Sequence, residues 1–444
     1  MKLHVIASLT IAFCVSEARA QITIVDIIPQ KYQRESRQNS EPNIAVDPSD
    51  PTKIVVSAFG GSAAPIFISK DGGGTWAILQ MVHAGDISIG WGGLDNAYLS
   101  TATTSGSTIG TFRLQTSTRR SHFQKLRRSN YRPHGQPVDQ PWTEATQVGG
   151  VDHIYVAFND YSQPTRTASI RQSLDGGSTW TNVVIERIDP GLEVDGAAVR
   201  VAANGSRVYG AFQRFNFFLL SSDTSTNVEG DIVVVRDDAA GAEGYFQLGA
   251  SGAGTVVANA VILPQGYLGQ ERLGSDLSIA VDPNNPDRVA LAYAVIRRGS
   301  PVVALALSLN GGATWDEIYT TPPASALPAV AIAGNGAVGL LFTFYDGAFL
   351  ETHFVQSQDA FATKTDVTLS RFADLSLKKQ FEPYIGDYED LVAVGNDFYG
   401  AFSASNDTSQ FPQQPTFLRD TTLLGTAKVP FSIDPFFFKA PALP

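Results

Sequence analysis

Cysteine is almost missing: Cys14 is the single one in 444 residues, and only two methionines accompany it. Beyond residue 20 the chain therefore offers no disulfide, no thiolate metal site and no cysteine nucleophile. Charge is sparse as well, at 17% Asp, Glu, Lys and Arg, against roughly 25% in an average soluble protein. No segment after the N-terminus approaches the ~20 consecutive apolar residues of a membrane-spanning helix. The five histidines beyond residue 20 (His83, His122, His134, His153, His353) show no HExxH or other ligand spacing, so zinc is not expected. A GxSxG elbow and a phosphate loop are also missing. With a net charge of −11, the surface repels phosphate backbones, and nucleic acid is not an expected partner.

Turn formers and apolar residues are plentiful. Forty glycines and 24 prolines, beside 43% apolar residues, favour many turns around a substantial core over long helices. The glycines follow no three-residue period, which excludes collagen. Residues 1–20 (MKLHVIASLTIAFCVSEARA) have a basic start at Lys2, an apolar run from Val5 to Val15 and the small-x-small pattern Ala18-Arg19-Ala20. They read as a cleaved signal peptide, so residues 21–444 are expected outside the cytoplasm, extracellular or periplasmic. Between Arg113 and Arg132 stand seven bases and no acid. That segment, a basic loop near 113–137, reads either as a solvated loop or as a contact for an anionic glycan.

An octapeptide recurs three times: Ser69-Lys-Asp71-Gly-Gly73-Gly-Thr75-Trp76, Ser173-Leu-Asp175-Gly-Gly177-Ser-Thr179-Trp180 and Ser308-Leu-Asn310-Gly-Gly312-Ala-Thr314-Trp315. Asp or Asn accepts backbone N–H groups in a turn, the glycines supply positive φ, and Thr re-enters a strand. Each copy follows an apolar strand, and the aspartates are structural in this reading. A second pattern, Glu41-Pro-Asn-Ile-Ala-Val-Asp47-Pro and Ser275-Asp-Leu-Ser-Ile-Ala-Val-Asp282-Pro, opens a strand–turn–strand unit. Weaker copies open at Asp139, Asp195, Leu327 and Gly386, with Leu94–Gln115 as a further copy. A unit of roughly 50 residues holding four strands is a propeller blade. The expected fold is thus all-β, a single β-propeller domain over 21–444 with an insertion near 215–273. Seven starts give seven blades, or six if Leu94–Gln115 is not one. The strand Ile22–Ile28 is expected to close the ring against Phe431–Phe438.

The octapeptide resembles the Asp-box, or BNR repeat, of sialidases, other propeller glycosidases and sortilin-type receptors. With EPNIAVDP, DQPW (Asp139–Trp142) and YIGDY (Tyr384–Tyr388), the chain resembles secreted BNR proteins of the sialidase-like superfamily. That resemblance implies a carbohydrate-active protein. A sialidase would add an Arg-Ile-Pro element, three arginines for the substrate carboxylate and a Tyr–Glu pair; here Arg34, Arg37, Arg214, Tyr384 and Tyr388 are the residues on offer.

In a propeller the innermost strands line the axis, so their starts converge on one mouth of the channel. Those starts carry Glu41, Asp95, Asp139, Asp195, Asp276 and Asp387. Clustered carboxylates need arginines, a cation such as Ca²⁺, or a shared proton. The last case supplies the general acid and base of glycoside hydrolysis. Equally, such acids can cap strand starts by accepting backbone N–H groups. On the catalytic reading Glu41, Asp139, Asp276 and Asp387 supply acid and base. Trp142 or Tyr388 then offers the sugar platform, Tyr384 is a further substrate-binding residue, and Arg214 orients an anionic group. Asn159, Asp160, Tyr345, Asp346 and Asn406 end second strands facing the same mouth. The expected function is cleavage of a glycosidic bond at the axial pocket by a monomer acting on carbohydrate, without a required cofactor. The alternatives are a non-catalytic glycan- or protein-binding propeller and a polysaccharide lyase, the latter using Tyr131 and His134.

Overall fold

The computed structural model describes residues 22–443 except 35–38, 60–62, 94–95, 104, 116–120, 133–136, 190, 193–196, 220–226, 265, 267–275, 374–384, 427–428 and 430. The expected leader, Arg37, Asp95, His134, Asp195 and Tyr384 lie outside the described residues. The chain is an all-β, seven-bladed propeller with almost no helix: six four-stranded sheets in sequence order and a seventh of mixed origin. The innermost strands are Asn43–Val46, Ile87–Trp91, Val138–Val148, Ala197–Ala203, Leu277–Val281, Ser325–Ile332 and Asp390–Val394, numbered here as blades 1 to 7. The second blade opens at Ile87, earlier than the expected start near Asp95; Ala97–Ala102 and Ile109–Gln115 are its second and third strands. The expected insertion resolves into a long hairpin, Val208–Leu219 with Asn227–Asp237, and the outer strand Thr255–Leu263.

Strands of β-branched and aromatic residues alternate with turns that dictate their register. Val289–Arg297 and Ser300–Ser308, for instance, are joined by Arg298 and Gly299, both at positive φ (52° and 83°). Two left-handed residues in a two-residue loop match the twist of the flanking strands. Facing sides of adjacent blades bury the core clusters, one at each interface and two between blades 2 and 3. Between blades 7 and 1, Ile44, Val56, Phe67 and Trp76 pack with Tyr399 and Phe437.

The octapeptides form closed hydrogen-bonded turns. In the first, Thr75 N–H and Thr75 Oγ1 donate to Asp71 (2.9 and 2.6 Å), Gly73 N–H donates to Ser69 Oγ (2.9 Å), and Trp76 Nε1 donates to Gly73 O (2.9 Å). Gly73, at φ +98°, lies against the Phe437 ring of the preceding blade, where a side chain would collide. A fourth turn of this kind, in blade 6, has no glycine. Thr363 N–H and Oγ1 donate to Asp359 (2.9 and 2.7 Å), while Ala360 and Phe361 take the positive φ values (53° and 66°).

Ring closure uses both ends of the chain. Thr23–Asp26 pairs antiparallel with Ile433–Pro441, which lies beside Asp397–Ser405. Arg419, wholly buried, bridges Asp26 and Asp434, also wholly buried, behind that seam. Closure leaves the inner sheet edges on the axis and places Thr23–Asp26 within the seventh sheet.

Candidate functional site

The inner strands begin with a repeated irregularity. Glu41, Gln140, Ala198, Leu327 and Gly386 occupy the left-handed region (φ 51°, 47°, 50°, 56° and 96°). In blades 3, 4 and 6 this coincides with a bulge in the inner pair, at Asp139/Trp142, Ala197/Arg200 and Ala326/Ala329. A bulge re-aims the residues that follow it. Two positions after each left-handed residue stand Asn43, Trp142, Arg200, Ala329 and Tyr388, one per blade. Three of them meet at the axis. The Arg200 guanidinium lies 4.5 Å from the Trp142 ring, and Trp142 meets Tyr388 edge-on at 5.7 Å, linking blades 3, 4 and 7.

Carboxylates surround this group, and most of them join neighbouring blades. Leu327 N–H donates to Asp276 Oδ1 (2.7 Å), Ile44 N–H to Asp390 Oδ2 (2.9 Å), and Asp387 N–H to Glu41 Oε1 (3.3 Å). Neutral side chains do the same elsewhere: Ile89 N–H donates to Asn43 Oδ1 (2.6 Å) and Thr143 N–H to Ser88 Oγ (2.6 Å). Thr343 Oγ1 donates to Glu389 across blades 6 and 7 (3.1 Å). The strand-capping role foreseen for the acids is therefore what these bonds perform.

Burial of so much negative charge moves the proton affinities. Desolvation, then the N–H of Leu327 opposing it and Asp387 reinforcing it, leaves Asp276 at about 7. Asp390 is lifted by burial to about 7 against the N–H groups of Ile44 and Leu391 and the charge of Arg200. Glu389 is lifted by burial to about 8. Arg200, 1% exposed, is lowered to about 10 by desolvation, which outweighs Tyr388, Asp390, Asp276 and Asp387 around it. Raised proton affinities and the charge of Arg200 thus temper the negative charge buried in the ring. Among the described residues no group of three or more Asp, Glu, His or Cys is placed to hold a metal ion.

One step further along the inner strands, alternation brings Ala45, Glu144, Ala202, Ala331 and Asp390 to the axis. Three alanines leave space, and a cavity of about 550 Å³ runs there, lined also by Trp142 and by the inner turns at Ser49, Gly93 and Asn204. Glu144 is half-buried in it. Burial first, and the charge of Asp390 second, push Glu144 up to about 8, opposed only by the N–H of Ala145. The cavity is therefore lined by two carboxyl groups, Glu144 and Asp390, whose proton affinities are both raised by burial.

The residues expected from sequence separate into three groups. Trp142 and Tyr388 come together at the axis. Glu41, Asp276 and Asp387 lie beside them but are buried to 2%, 2% and 1% exposure. Asp139 is half-buried, pairs in register with Asn159 and does not line the cavity. Arg214 is engaged elsewhere, in a bidentate buried pair with Glu186 (2.8 and 2.9 Å) and a bond to Ala253 O (2.9 Å). Asp160 accepts from Tyr131 and Ser162, Asp346 pairs with Arg371, and Asn406 donates to Ser432 and Asp434, so these strand ends serve their own loops. Arg200, Glu144, Glu389 and Asp390 escaped the sequence reading. The proline after the left-handed residue (Pro42, Pro141, Pro328) aligns Trp142 with Asn43 and Ala329 and so brings Glu144, two residues on, to the axis; blades 4 and 7 have no proline there, and Arg200, Glu389 and Asp390 carried no such signal.

No protein-family model matches the chain, and no curated protein matches it. Solved structures do. An ulvan lyase of polysaccharide lyase family PL25 superposes with a TM-score of 0.50 at 12% identity, over 83% of this chain and 92% of that one. An α-L-arabinofuranosidase from Fusarium graminearum, in complex with an iminosugar inhibitor, gives 0.43 at 9% identity over 94% and 97%. A protein of unknown function from Dyadobacter fermentans gives 0.43 at 13% identity over 95% and 98%. At such identities the likeness establishes the fold alone.

Proposed function

We propose that this chain is a secreted, carbohydrate-active protein that cleaves a glycosidic bond in its axial cavity. Glu144 is the proton donor, Asp390 the partner carboxylate, and Trp142 the platform for a sugar face. The observation that carries this reading is the pair of cavity-lining carboxyl groups with raised proton affinities, about 8 for Glu144 and about 7 for Asp390. Two carboxyl groups whose environments separate their protonation states are what acid–base cleavage of an acetal needs. The enzymes named for the ulvan lyase and arabinofuranosidase structures are consistent with a sugar substrate and supply no residue roles.

The acid-rich axis favours a neutral sugar over an anionic one. A sialidase-like substrate carboxylate would need a cluster of arginines, and among the described residues Arg200 is the arginine that faces these acids. A non-catalytic glycan-binding propeller is the second reading, favoured by the backbone N–H bonds that already occupy both oxygens of Asp390.

A panel of aryl glycosides and plant and algal polysaccharides, read by released aglycone and reducing ends, tests the proposal. E144Q is expected to lower kcat on a responsive substrate by about 100-fold or more. Activity should require Asp390 ionised and Glu144 protonated, giving a bell between about 7 and 8. D390N, by removing the charge that lifts Glu144, should move the alkaline limb to lower pH in whatever activity remains. Binding without product across the panel would favour the second reading; undiminished turnover in E144Q would remove Glu144 from the mechanism.

A further inference from the structure

We infer that the flank between blades 2 and 3 is a docking surface for an acidic polysaccharide, with Lys125, Arg127, Arg128 and Arg132 as its contacts. All four side chains are exposed. Several arginines elsewhere are neutralised: Arg207, Arg214, Arg236, Arg288, Arg297, Arg371 and Arg419 each meet a carboxylate. The four on this flank make no ion pair among the described residues. Removing their +4 from the net −11 leaves −15 for the rest of the chain, so a concentrated positive ridge stands on an otherwise acidic molecule.

The ridge is held rigidly. Arg171, 7% exposed, donates Nε to Ser129 O (3.0 Å) and Nη2 to Arg128 O and Asn130 O (3.0 and 3.3 Å). Its guanidinium sits 5.6 Å from both the Tyr131 and the Trp180 rings. Ser129 is fully buried, and its Oγ accepts Thr111 N–H (3.1 Å). Ile109 and Tyr131 exchange backbone hydrogen bonds in both directions (3.0 and 2.9 Å). Arg128 itself is kept at φ 60°, a conformation that costs energy in a non-glycine residue. A buried cation that pins three successive carbonyls fixes the segment with its own basic side chains outward. A solvated loop needs no such anchor.

Four unpaired cations within eight residues repel one another, and a polymer of spaced negative charge relieves this across the whole ridge. A flexible chain can follow the flank and avoid the acidic remainder, whereas a stiff duplex would press on both. That the polymer is a carbohydrate rests on the reading of the axial cavity; that it carries negative charge, which the cavity itself disfavours, rests on the ridge alone.

The test uses the full chain with polygalacturonate, dextran sulfate and neutral dextran in affinity electrophoresis. A variant with Lys125, Arg127, Arg128 and Arg132 changed to Ser is compared with one changing Lys31, Arg166, Arg298 and Lys364, which are also exposed. The unchanged chain should be retarded by both acidic polymers, not by neutral dextran, and less so as salt rises. The ridge variant should bind about tenfold more weakly, the control variant should behave as the unchanged chain, and both should melt normally. Equal behaviour of the two variants, no retardation of the unchanged chain, or tighter binding to duplex DNA or phosphatidylglycerol vesicles would overturn the assignment. E144Q should keep polymer binding, and the ridge variant should keep turnover of small glycosides, so this proposal and the axial one can fail independently.

Discussion

Glu389 allows the charge buried at the axis to be weighed. It is 1% exposed, its Oε1 accepts Thr343 Oγ1, and its Oε2 has no hydrogen-bond partner among the described residues. Burial lifts it from an ordinary 4.5 to about 8. Between those pH values the folded chain holds a proton that the unfolded chain has released. Stability contributed at this position therefore rises as pH falls from about 8 to about 4.5, and is lowest above 8. A shift of about 3.5 units at 1.36 kcal/mol per unit is about 5 kcal/mol. E389Q removes the titration while keeping Oε1 as acceptor. Its amide nitrogen replaces the partnerless oxygen at a pH-independent cost of about 1–3 kcal/mol. E389Q should then be more stable than the unchanged chain by roughly 2–4 kcal/mol at pH 8.5, and less stable by roughly 1–3 kcal/mol below pH 5. Guanidinium unfolding followed by tryptophan fluorescence at several pH values measures both, and the two stability curves must cross. Parallel curves would refute a carboxyl group held neutral by burial at that position.

Three further substitutions probe the frame that holds the axis. R419M leaves Asp26 and Asp434 buried without their cation, and loss of one partner from a buried ionic group costs about 3–5 kcal/mol; a denaturation midpoint lowered by the equivalent of less than 1 kcal/mol would show that the ring is closed by the Thr23–Asp26 pairing alone. F361G relieves a left-handed φ of 66°, worth about 1 kcal/mol, but gives up a stack on Tyr319 at 4.9 Å and a nearly buried ring, worth about 3–5 kcal/mol; net destabilisation of roughly 2–4 kcal/mol is expected, and a neutral result would mean that strain governs the glycine-free turn. A198V should disturb the bulge that aims Arg200 at Trp142, since a β-branched residue resists φ of 50°, while A198G should be tolerated; equal melting temperatures for the two would separate the bulge from the position of Arg200.

The architecture was legible because it repeats. Three octapeptides with fixed Ser, Asp or Asn, Gly and Trp positions declare their turn chemistry, and the intervals between the strand–turn–strand openings set the blade length. The fourth turn was not legible, because Ala360 and Phe361 adopt backbone angles that the sequence pattern assigns to glycine. Blade 2 was misplaced because its inner strand, ISIGW at 87–91, is not followed by the Asp-Pro turn of blades 1 and 5, although Asp86 just before it accepts Gln140 N–H of the next blade (3.0 Å). At the axis Glu41, Asp276 and Asp387 were found but the cavity-lining Glu144 and Asp390 were not, and the register was off by two in blade 4, where the acid at 195 was aligned with Asp139. Counting instead from the left-handed residue equates Arg200 with Trp142 and brings the arginine onto the axis. Arg214 looked available in sequence because its partner, Glu186, lies 28 residues away on the connection from the preceding blade.

Most acids at the axis have a structural duty that accounts for their presence. Asp276, Asp390 and Glu41 each take a backbone N–H from a neighbouring blade, and in other blades Asn43 and Ser88 do the same work without charge. Glu144 differs. Among the described residues its carboxyl meets only the N–H of Ala145, its position on the axis is filled by alanine in blades 1, 4 and 6, and it carries the cost of burial beside Asp390. An alanine at 144 would satisfy the same packing and remove that cost. Glu144 lines the cavity without bonding one blade to the next, and it is on this side chain, more than on the ring of acids as a whole, that the proposed function rests.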